Sequence, residues 1–126
     1  MFHLVVPPVE PPVEAVQGTT GPDTISGETG QTVNAGAGAD TLSVAQNASD
    51  VILNGNRGND TFDLSANVTS TGTTINDGGG GDSITSGQNH SDLTINGEEG
   101  DDNIRFESRS GAISGGDGND LISVGY

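Results

Sequence analysis

The 126-residue sequence has very little positive charge. Three arginines and no lysine stand against 18 acidic residues, which gives a formal net charge of −15. Because phosphate groups are bound by basic surfaces, this balance argues against nucleic acid as a partner. Cysteine is absent, so the sequence excludes disulfide bonds and thiolate metal sites. Hard cations bound through oxygen ligands remain compatible with this composition.

Apolar residues are also scarce. They make up 29% of the chain, and aromatic residues 3%, whereas an average soluble domain is about 45–50% apolar. So little apolar surface combined with strong charge repulsion is typical of chains that stay disordered unless something stabilises them. The sequence has no apolar run of about 18 residues, and its first residues lack a basic flank, so neither a transmembrane helix nor a signal peptide is predicted.

What the sequence does contain is glycine, 21 residues in all, and much of it lies in a repeat. Six segments align without gaps from their first residues at positions 18, 35, 55, 77, 97 and 115, and we number their loops 1 to 6. The fourth position is always glycine, the sixth always aspartate and the eighth always apolar. The six aspartates are Asp23, Asp40, Asp60, Asp82, Asp102 and Asp120.

Each repeat predicts two short strands, one after the Gly-Asp loop and one before the next loop. Apolar residues alternate with polar ones in both places, as in Leu42 with Val44 and in Val51 with Leu53. Stacking such strands gives two facing parallel sheets around a thin core. Four apolar residues before the loops are followed by asparagine, which indicates either a stacked ladder or ordinary turn chemistry. These are Asn34, Asn54, Asn76 and Asn96.

The Gly-Asp loop keeps a fixed spacing, whereas the turn on the opposite side varies in length and sequence. Glycine lets the backbone turn its carbonyl oxygens toward one point, and the aspartate adds a carboxylate. Stacked loops then form an oxygen-only cage of about six ligands, which suits Ca²⁺ better than Zn²⁺ or Mg²⁺. The alternative is a glycine-rich turn without an ion, which explains neither the six aspartates nor the charge.

The last repeat, residues 115–123, reads GGDGNDLIS and matches the nonapeptide GGxGxDxUx at every specified position, where U is apolar. Over residues 18–126 the chain therefore resembles the RTX calcium-binding β-roll family. The resemblance implies an all-β fold, a right-handed parallel β-roll or β-solenoid of about six rungs with two facing parallel sheets. It also implies calcium sites between neighbouring loops, built from the carbonyls of the first four loop positions and the aspartate at the sixth.

Only one side of the repeat carries the motif, so calcium is expected along one edge, with about four to five ions. Six loops leave five gaps. Loop 1 departs most from the pattern, through Thr19, Thr20 and Pro22, so four sites are expected between loops 2 and 6, and the gap between loops 1 and 2 would supply the fifth. The resemblance implies that further ligands, besides the six aspartates, come from the following residues. They are Gly18, Thr19, Thr20, Gly21, Ala35, Gly36, Ala37, Gly38, Gly55, Asn56, Arg57, Gly58, Asp77, Gly78, Gly79, Gly80, Gly97, Glu98, Glu99, Gly100, Gly115 and Asp117.

These observations predict a calcium-binding structural or adhesive module of an extracellular, cell-surface or virion assembly. Weak sites, with dissociation constants on the order of 10⁻⁴–10⁻³ M, fill outside cells. The alternative is a non-catalytic part of a larger secreted RTX enzyme or toxin. Ice binding is less favoured, because the third and fifth loop positions are irregular and charged.

The remaining expectations concern catalysis and the two ends of the chain. We expect no enzymatic activity, since neither His3 nor His90 lies in a catalytic or metal motif, and His90 is expected in solvent. Residues 1–17, with a repeated PPVE, predict an extended arm. The open end of the roll predicts association with another copy or with a neighbouring domain.

Overall fold

The computed structural model describes residues 15–64 and 69–125. Within these ranges the chain forms strands and turns and no α-helix, so they contain no helix that could cross a membrane. Residues 1–14 of the predicted arm lie outside the described residues. The last two arm residues, Val16–Gln17, form the first strand, so the sheet structure begins before the predicted boundary at residue 18.

Two six-stranded parallel sheets account for most of the fold. The first sheet contains, in spatial order, β1 (Val16–Gln17), β3 (Thr32–Asn34), β6 (Ile52–Asn54), β9 (Thr74–Asn76), β12 (Leu93–Asn96) and β14 (Gly111–Ser114). The second contains β2 (Thr24–Gly27), β4 (Thr41–Val44), β7 (Thr61–Leu64), β10 (Ser83–Ser86), β13 (Asn103–Phe106) and β15 (Leu121–Val124). The chain alternates between the sheets, which is the parallel β-solenoid expected from the sequence.

The register of the strands stacks equivalent residues of successive repeats. In the second sheet Leu42 pairs with Phe62, and Phe62 pairs with Ile84. In the first sheet Val33 pairs with Leu53 in the same way. All of these side chains are buried in one apolar cluster shared by the two sheets. Because each repeat contributes only a few such side chains, the core is a narrow column.

The four asparagines before the loops form the predicted ladder. The side-chain amide of Asn54 donates to Asn34 Oδ1 at 2.9 Å, and Asn76 donates to Asn54 Oδ1 at 2.9 Å. Asn96 continues the series by donating to Asn76 Oδ1 at 2.8 Å. Each bond joins one repeat to the next, so the ladder fixes the register beside the Gly-Asp loops.

We call the side that carries the six Gly-Asp loops the loop edge and the opposite side the turn edge. A third, short parallel sheet lies on the turn edge and contains β5 (Ala48–Ser49), β8 (Ser70–Thr71) and β11 (His90–Ser91). The variable turns are therefore partly ordered as strands. Sequence patterning did not predict this sheet, because its strands are two residues long and too short to show alternation.

The expectation that His90 lies in solvent is wrong. Its side chain is fully buried, with Nε2 donating to the carbonyl of Leu64 at 2.7 Å and Nδ1 accepting from Ser70 Oγ at 2.6 Å. Thr73 Oγ1 donates to Ser70 Oγ at 3.0 Å and completes the network. These partners lie in other repeats or on the far side of a turn, so sequence spacing alone did not reveal them.

Candidate metal centre

The Gly-Asp loops share a backbone conformation that explains their glycines. The fourth-position glycines of loops 2 to 6 have φ values between 104° and 122°, a region that side chains rarely tolerate. The second position also has positive φ, but at 56° for Glu98 and 70° for Asn56, where a side chain is tolerated. The repeat therefore demands glycine at the fourth position and admits other residues at the second.

The six aspartates form a continuous ladder along the loop edge. In loops 2 to 6, one carboxylate oxygen of the aspartate accepts a hydrogen bond from the backbone N–H of the aspartate one loop earlier. The distances are 2.8 Å from Asp23 N to Asp40, 2.9 Å from Asp40 N to Asp60 and 2.6 Å from Asp60 N to Asp82. Asp82 N to Asp102 and Asp102 N to Asp120 are both 2.9 Å. The ladder holds the predicted carboxylates in line.

The second carboxylate oxygen in this ladder is buried without a hydrogen bond. The Oδ2 atoms of four aspartates have no hydrogen-bond partner among the described residues. These are Asp40, Asp60, Asp82 and Asp102, whose side chains are 1–2% exposed. A buried carboxylate oxygen without a partner costs several kcal/mol, on the order of a lost hydrogen bond to a charged group or more. The row of Oδ2 atoms is therefore an arrangement that requires positive charge.

Backbone carbonyls face the same spaces as these oxygens. A Cβ atom added at Gly55 would lie 2.5 Å from Asp60 Oδ2 and 2.6 Å from the carbonyl oxygen of Asp77. At Gly97 it would lie 3.0 Å from Asp102 Oδ2 and 2.5 Å from the carbonyl oxygen of Gly115. The glycine at the first loop position thus leaves room where the carboxylate of its own loop and a backbone carbonyl of the next loop converge. Such all-oxygen donor sets fit Ca²⁺.

Burial and mutual repulsion raise the pKa values of these carboxyls. Burial is the larger cause for Asp60, whose pKa rises to about 6, and for Asp82, whose pKa rises to about 7. The pKa values of Asp40 and Asp102 are raised for the same reason. The negative charge of the neighbouring aspartates adds to the effect in each case. The carboxylate ladder is therefore electrostatically strained when nothing offsets its charge.

Loop 1 differs from the others, as its sequence suggests. Thr19 donates to the Asp23 carboxylate from its backbone N–H at 2.6 Å and from its hydroxyl at 3.0 Å. Gly21 lacks the positive φ of the fourth-position glycines in the other loops. Because its own loop already satisfies the Asp23 carboxylate, the gap between loops 1 and 2 is less suited to an ion than the other four.

The predicted carbonyl ligands at the second and third positions have an additional role. The carbonyl of Asn56 accepts from Gly79 N at 2.8 Å, and that of Gly79 accepts from Gly58 N at 3.0 Å. The first of these bonds recurs between loops 4 and 5, and both recur between loops 5 and 6. Isolated parallel bridges join the third positions. These bridges run through Ala37, Arg57, Gly79, Glu99 and Asp117. A carbonyl has two lone pairs, so these bonds leave each oxygen able to accept a further partner.

The deciding comparison is with protein-family models. A model for the RTX calcium-binding nonapeptide repeat matches four copies, at residues 14–42, 47–67 and 112–125, together half of the chain. The chain belongs to the RTX calcium-binding nonapeptide repeat family. No curated protein and no solved structure matches it.

Membership of the RTX family makes the chain a calcium-binding β-roll module. The matched residues do not include loops 4 and 5, which lie between positions 68 and 111. These loops nevertheless have the φ pattern and the Asp82–Asp102 hydrogen bond of the RTX repeat. The structure therefore extends the repeat through the middle of the chain.

One predicted ligand, Asp77, has a feature that the resemblance did not imply. The resemblance implied that Asp77 contributes its backbone carbonyl, and this oxygen does lie beside Asp60 Oδ2. However, the Asp77 side chain also points into the protein and is fully buried. Burial, followed by repulsion from Asp102 and Asp82, raises its pKa to about 9. Nothing in the nonapeptide pattern indicated this carboxylate, because its first position specifies glycine.

Proposed function

We propose that this RTX β-roll is a structural or adhesive module of an extracellular, cell-surface or virion assembly that folds when Ca²⁺ binds between its loops. The observation that carries the proposal is the row of buried Oδ2 atoms without hydrogen-bond partners among the described residues. A narrow core and a net charge of −15 do not favour a compact chain without a counter-charge. Because the sites exist only when loops stack, binding energy contributes directly to folding.

The same geometry supports a proposal for the number of ions. Five gaps separate the six loops, and the four between loops 2 and 6 combine a buried Oδ2 with the shared backbone conformation. We propose four ions in these gaps and a weaker fifth site between loops 1 and 2, where Thr19 already binds Asp23. Four Ca²⁺ would offset about eight of the fifteen net negative charges.

The last rung supports a role in assembly. In β15, Leu121 is 65% exposed, Ile122 42% and Val124 68%, and β15 is the outermost strand of its sheet. An exposed apolar strand at a sheet edge is a site for pairing with another chain. We propose that this end stacks on a second copy or on a neighbouring domain. Light scattering in calcium tests stacking on a second copy, which Val124→Lys should weaken; a strict monomer at high concentration contradicts it.

The proposed module is non-catalytic. The Ser70–His90 hydrogen bond resembles a nucleophile beside a base, but both side chains are at most 2% exposed. His90 also donates its other ring nitrogen to the Leu64 carbonyl, which is a structural contact. The pair therefore holds the turn edge together rather than facing a substrate.

Circular dichroism tests the folding proposal directly. The metal-free chain at neutral pH is expected to give a disordered spectrum, and millimolar Ca²⁺ is expected to produce a β spectrum. Mg²⁺ at equal concentration and ionic strength is the control. It should induce much less β structure, because Mg²⁺ is a smaller ion that requires a more rigid coordination geometry. A metal-free chain with full β structure, unaffected by Ca²⁺, would falsify the proposal.

A further inference from the structure

Three carboxylates converge at one place on the loop edge. Asp77, Asp82 and Asp102 each bring a carboxylate oxygen to within 4.8 Å of the other two. All three side chains are buried, between 0% and 2% exposed. Asp82 and Asp102 belong to the aspartate ladder, but Asp77 comes from the first position of loop 4.

The oxygens of this cluster are free to bind an ion. Neither carboxylate oxygen of Asp77 accepts a hydrogen bond from a described residue, and the same is true of Asp82 Oδ2 and Asp102 Oδ2. The three clustered carboxylates thus carry four buried oxygens that have no donor among the described residues. By contrast, the Oδ1 atoms of Asp82 and Asp102 are occupied by the ladder bonds from Asp60 N and Asp82 N.

The third carboxylate is peculiar to this position of the roll. The first residue is glycine in loops 1, 3, 5 and 6 and alanine in loop 2, so each of these gaps has only ladder aspartates. Ala35 is fully buried at the equivalent point of loop 2, which shows that the fold accommodates a side chain there. The Asp77 carboxylate therefore lies where its counterparts have a hydrogen atom or a methyl group.

We propose that Asp77, Asp82 and Asp102 bind one Ca²⁺ through three carboxylates, more tightly than the other gaps of this roll do. The proposal rests on the proposed function, in which the loops bind Ca²⁺. Calcium affinity in proteins rises with the number of charged ligands and with the rigidity of the site. Three charges in a buried, hydrogen-bonded framework exceed the two that each other gap supplies, so this gap fills first as free calcium rises.

Equilibrium dialysis against buffered free calcium, with bound calcium counted per chain, tests this proposal. The unmodified protein is expected to bind one ion at a free concentration at least about tenfold below that needed for the others. Asp77→Ala, which copies loop 2, should remove this first step and move its ion into the later group, so that the total number of bound ions stays the same. Asp101→Asn is the matched control: this exposed residue of loop 5 loses one charge and keeps the oxygen that accepts from Asn119 N. It should keep the first step.

The reciprocal variant makes the test independent of whether Asp77→Ala folds. Ala35→Asp places a third carboxylate beside Asp40 Oδ2 and Asp60 Oδ2, which are buried and without partners among the described residues. Ala35→Asp should raise the number of ions bound in the first, low-calcium step from one to two. The proposal is overturned if Asp77→Ala keeps the first step, or if it does not fold and Ala35→Asp adds no ion. Absence of any calcium binding by the unmodified protein would instead overturn the proposed function.

Discussion

The two edges of the roll handle buried polar groups in opposite ways. On the turn edge, Ser70, Thr73 and His90 satisfy one another and the Leu64 carbonyl through hydrogen bonds. On the loop edge, Asp60 and its equivalents keep a buried oxygen that no described residue satisfies. A satisfied network stabilises a fold by itself, whereas an unsatisfied row of carboxylates stabilises it only when a bound cation or protonation offsets its charge. The difference separates a structural edge from a binding edge.

The largest expected effect is that of pH on the metal-free protein. A carboxyl whose pKa is higher in the folded than in the unfolded chain favours folding while it is protonated. This contribution is complete below about pH 4 and is lost as pH rises through the folded pKa values of about 6, 7 and 9 at Asp60, Asp82 and Asp77. Metal-free protein should therefore show more β structure by circular dichroism at pH 5.5 than at pH 8.5.

Calcium should reverse that dependence, since metal binding requires the deprotonated carboxylates. Saturating Ca²⁺ at pH 8.5 is the control and should restore the β spectrum. The interpretation of the loop edge fails if metal-free β structure instead increases as pH rises. Both measurements are made at a pH above the pI of about 4.1. The chain is negatively charged at both pH values, which keeps it soluble.

A pair of alanine substitutions within loop 4 should have the next largest effect. A Cβ at Gly80, where φ is 120°, would collide with the backbone of Gly58, whereas a Cβ at Gly79 would meet nothing within 4 Å. Gly80→Ala is expected to raise the calcium concentration at the folding midpoint by about tenfold or more, because strain of this kind costs about 1–3 kcal/mol before any clash. Gly79→Ala should change it little. Equal shifts would show that loop geometry does not control the site.

These loops were predictable from the sequence because the repeat is local. The glycine and the aspartate of each loop, Gly80 and Asp82 in loop 4, keep a fixed spacing within the loop. In-register stacking of equivalent residues, such as Phe62 on Leu42, follows from the repeat itself. His90 was mispredicted because its partners Ser70 and Leu64 lie 20 and 26 residues away, across turns of unequal length. Asp77 was predicted as a carbonyl ligand only, because a motif that specifies glycine says nothing about a side chain.

The position of an aspartate along the loop edge should set the size of its effect. Asp82 lies between two stacked loops, where its Oδ1 accepts from Asp60 N and its own N–H donates to Asp102. Asp120 accepts from Asp102 N in the last loop and serves one gap. Asp82→Ala should therefore raise the calcium midpoint of folding more than Asp120→Ala does. A larger effect of Asp120→Ala would contradict sharing of each aspartate between gaps.

Substitution on the turn edge should reduce stability without changing the number of calcium ions. His90→Ala removes a fully buried side chain and leaves Ser70 Oγ and the Leu64 carbonyl without this partner. The expected loss is about 2–4 kcal/mol in the free energy of unfolding, measured by denaturant titration in saturating calcium. Asn89→Ala, at the exposed neighbouring residue, is the control. A lower calcium count for folded His90→Ala would mean that the two edges are not independent.

The smallest effect is expected from Asp92, an acidic residue of the turn edge. Its φ of 54° lies in the left-handed region, so Asp92→Ala would add backbone strain to the loss of charge. Asp92→Asn removes the charge alone, because asparagine tolerates this φ and keeps an oxygen that can accept from Ser110 Oγ, as Asp92 Oδ1 does at 3.2 Å. If calcium binds on the loop edge alone, this variant should shift the calcium midpoint by less than about twofold, through weaker long-range attraction screened by salt. A shift as large as that of Asp82→Ala would show instead that overall negative charge, and not the ordered row of loop carboxylates, attracts calcium to this chain.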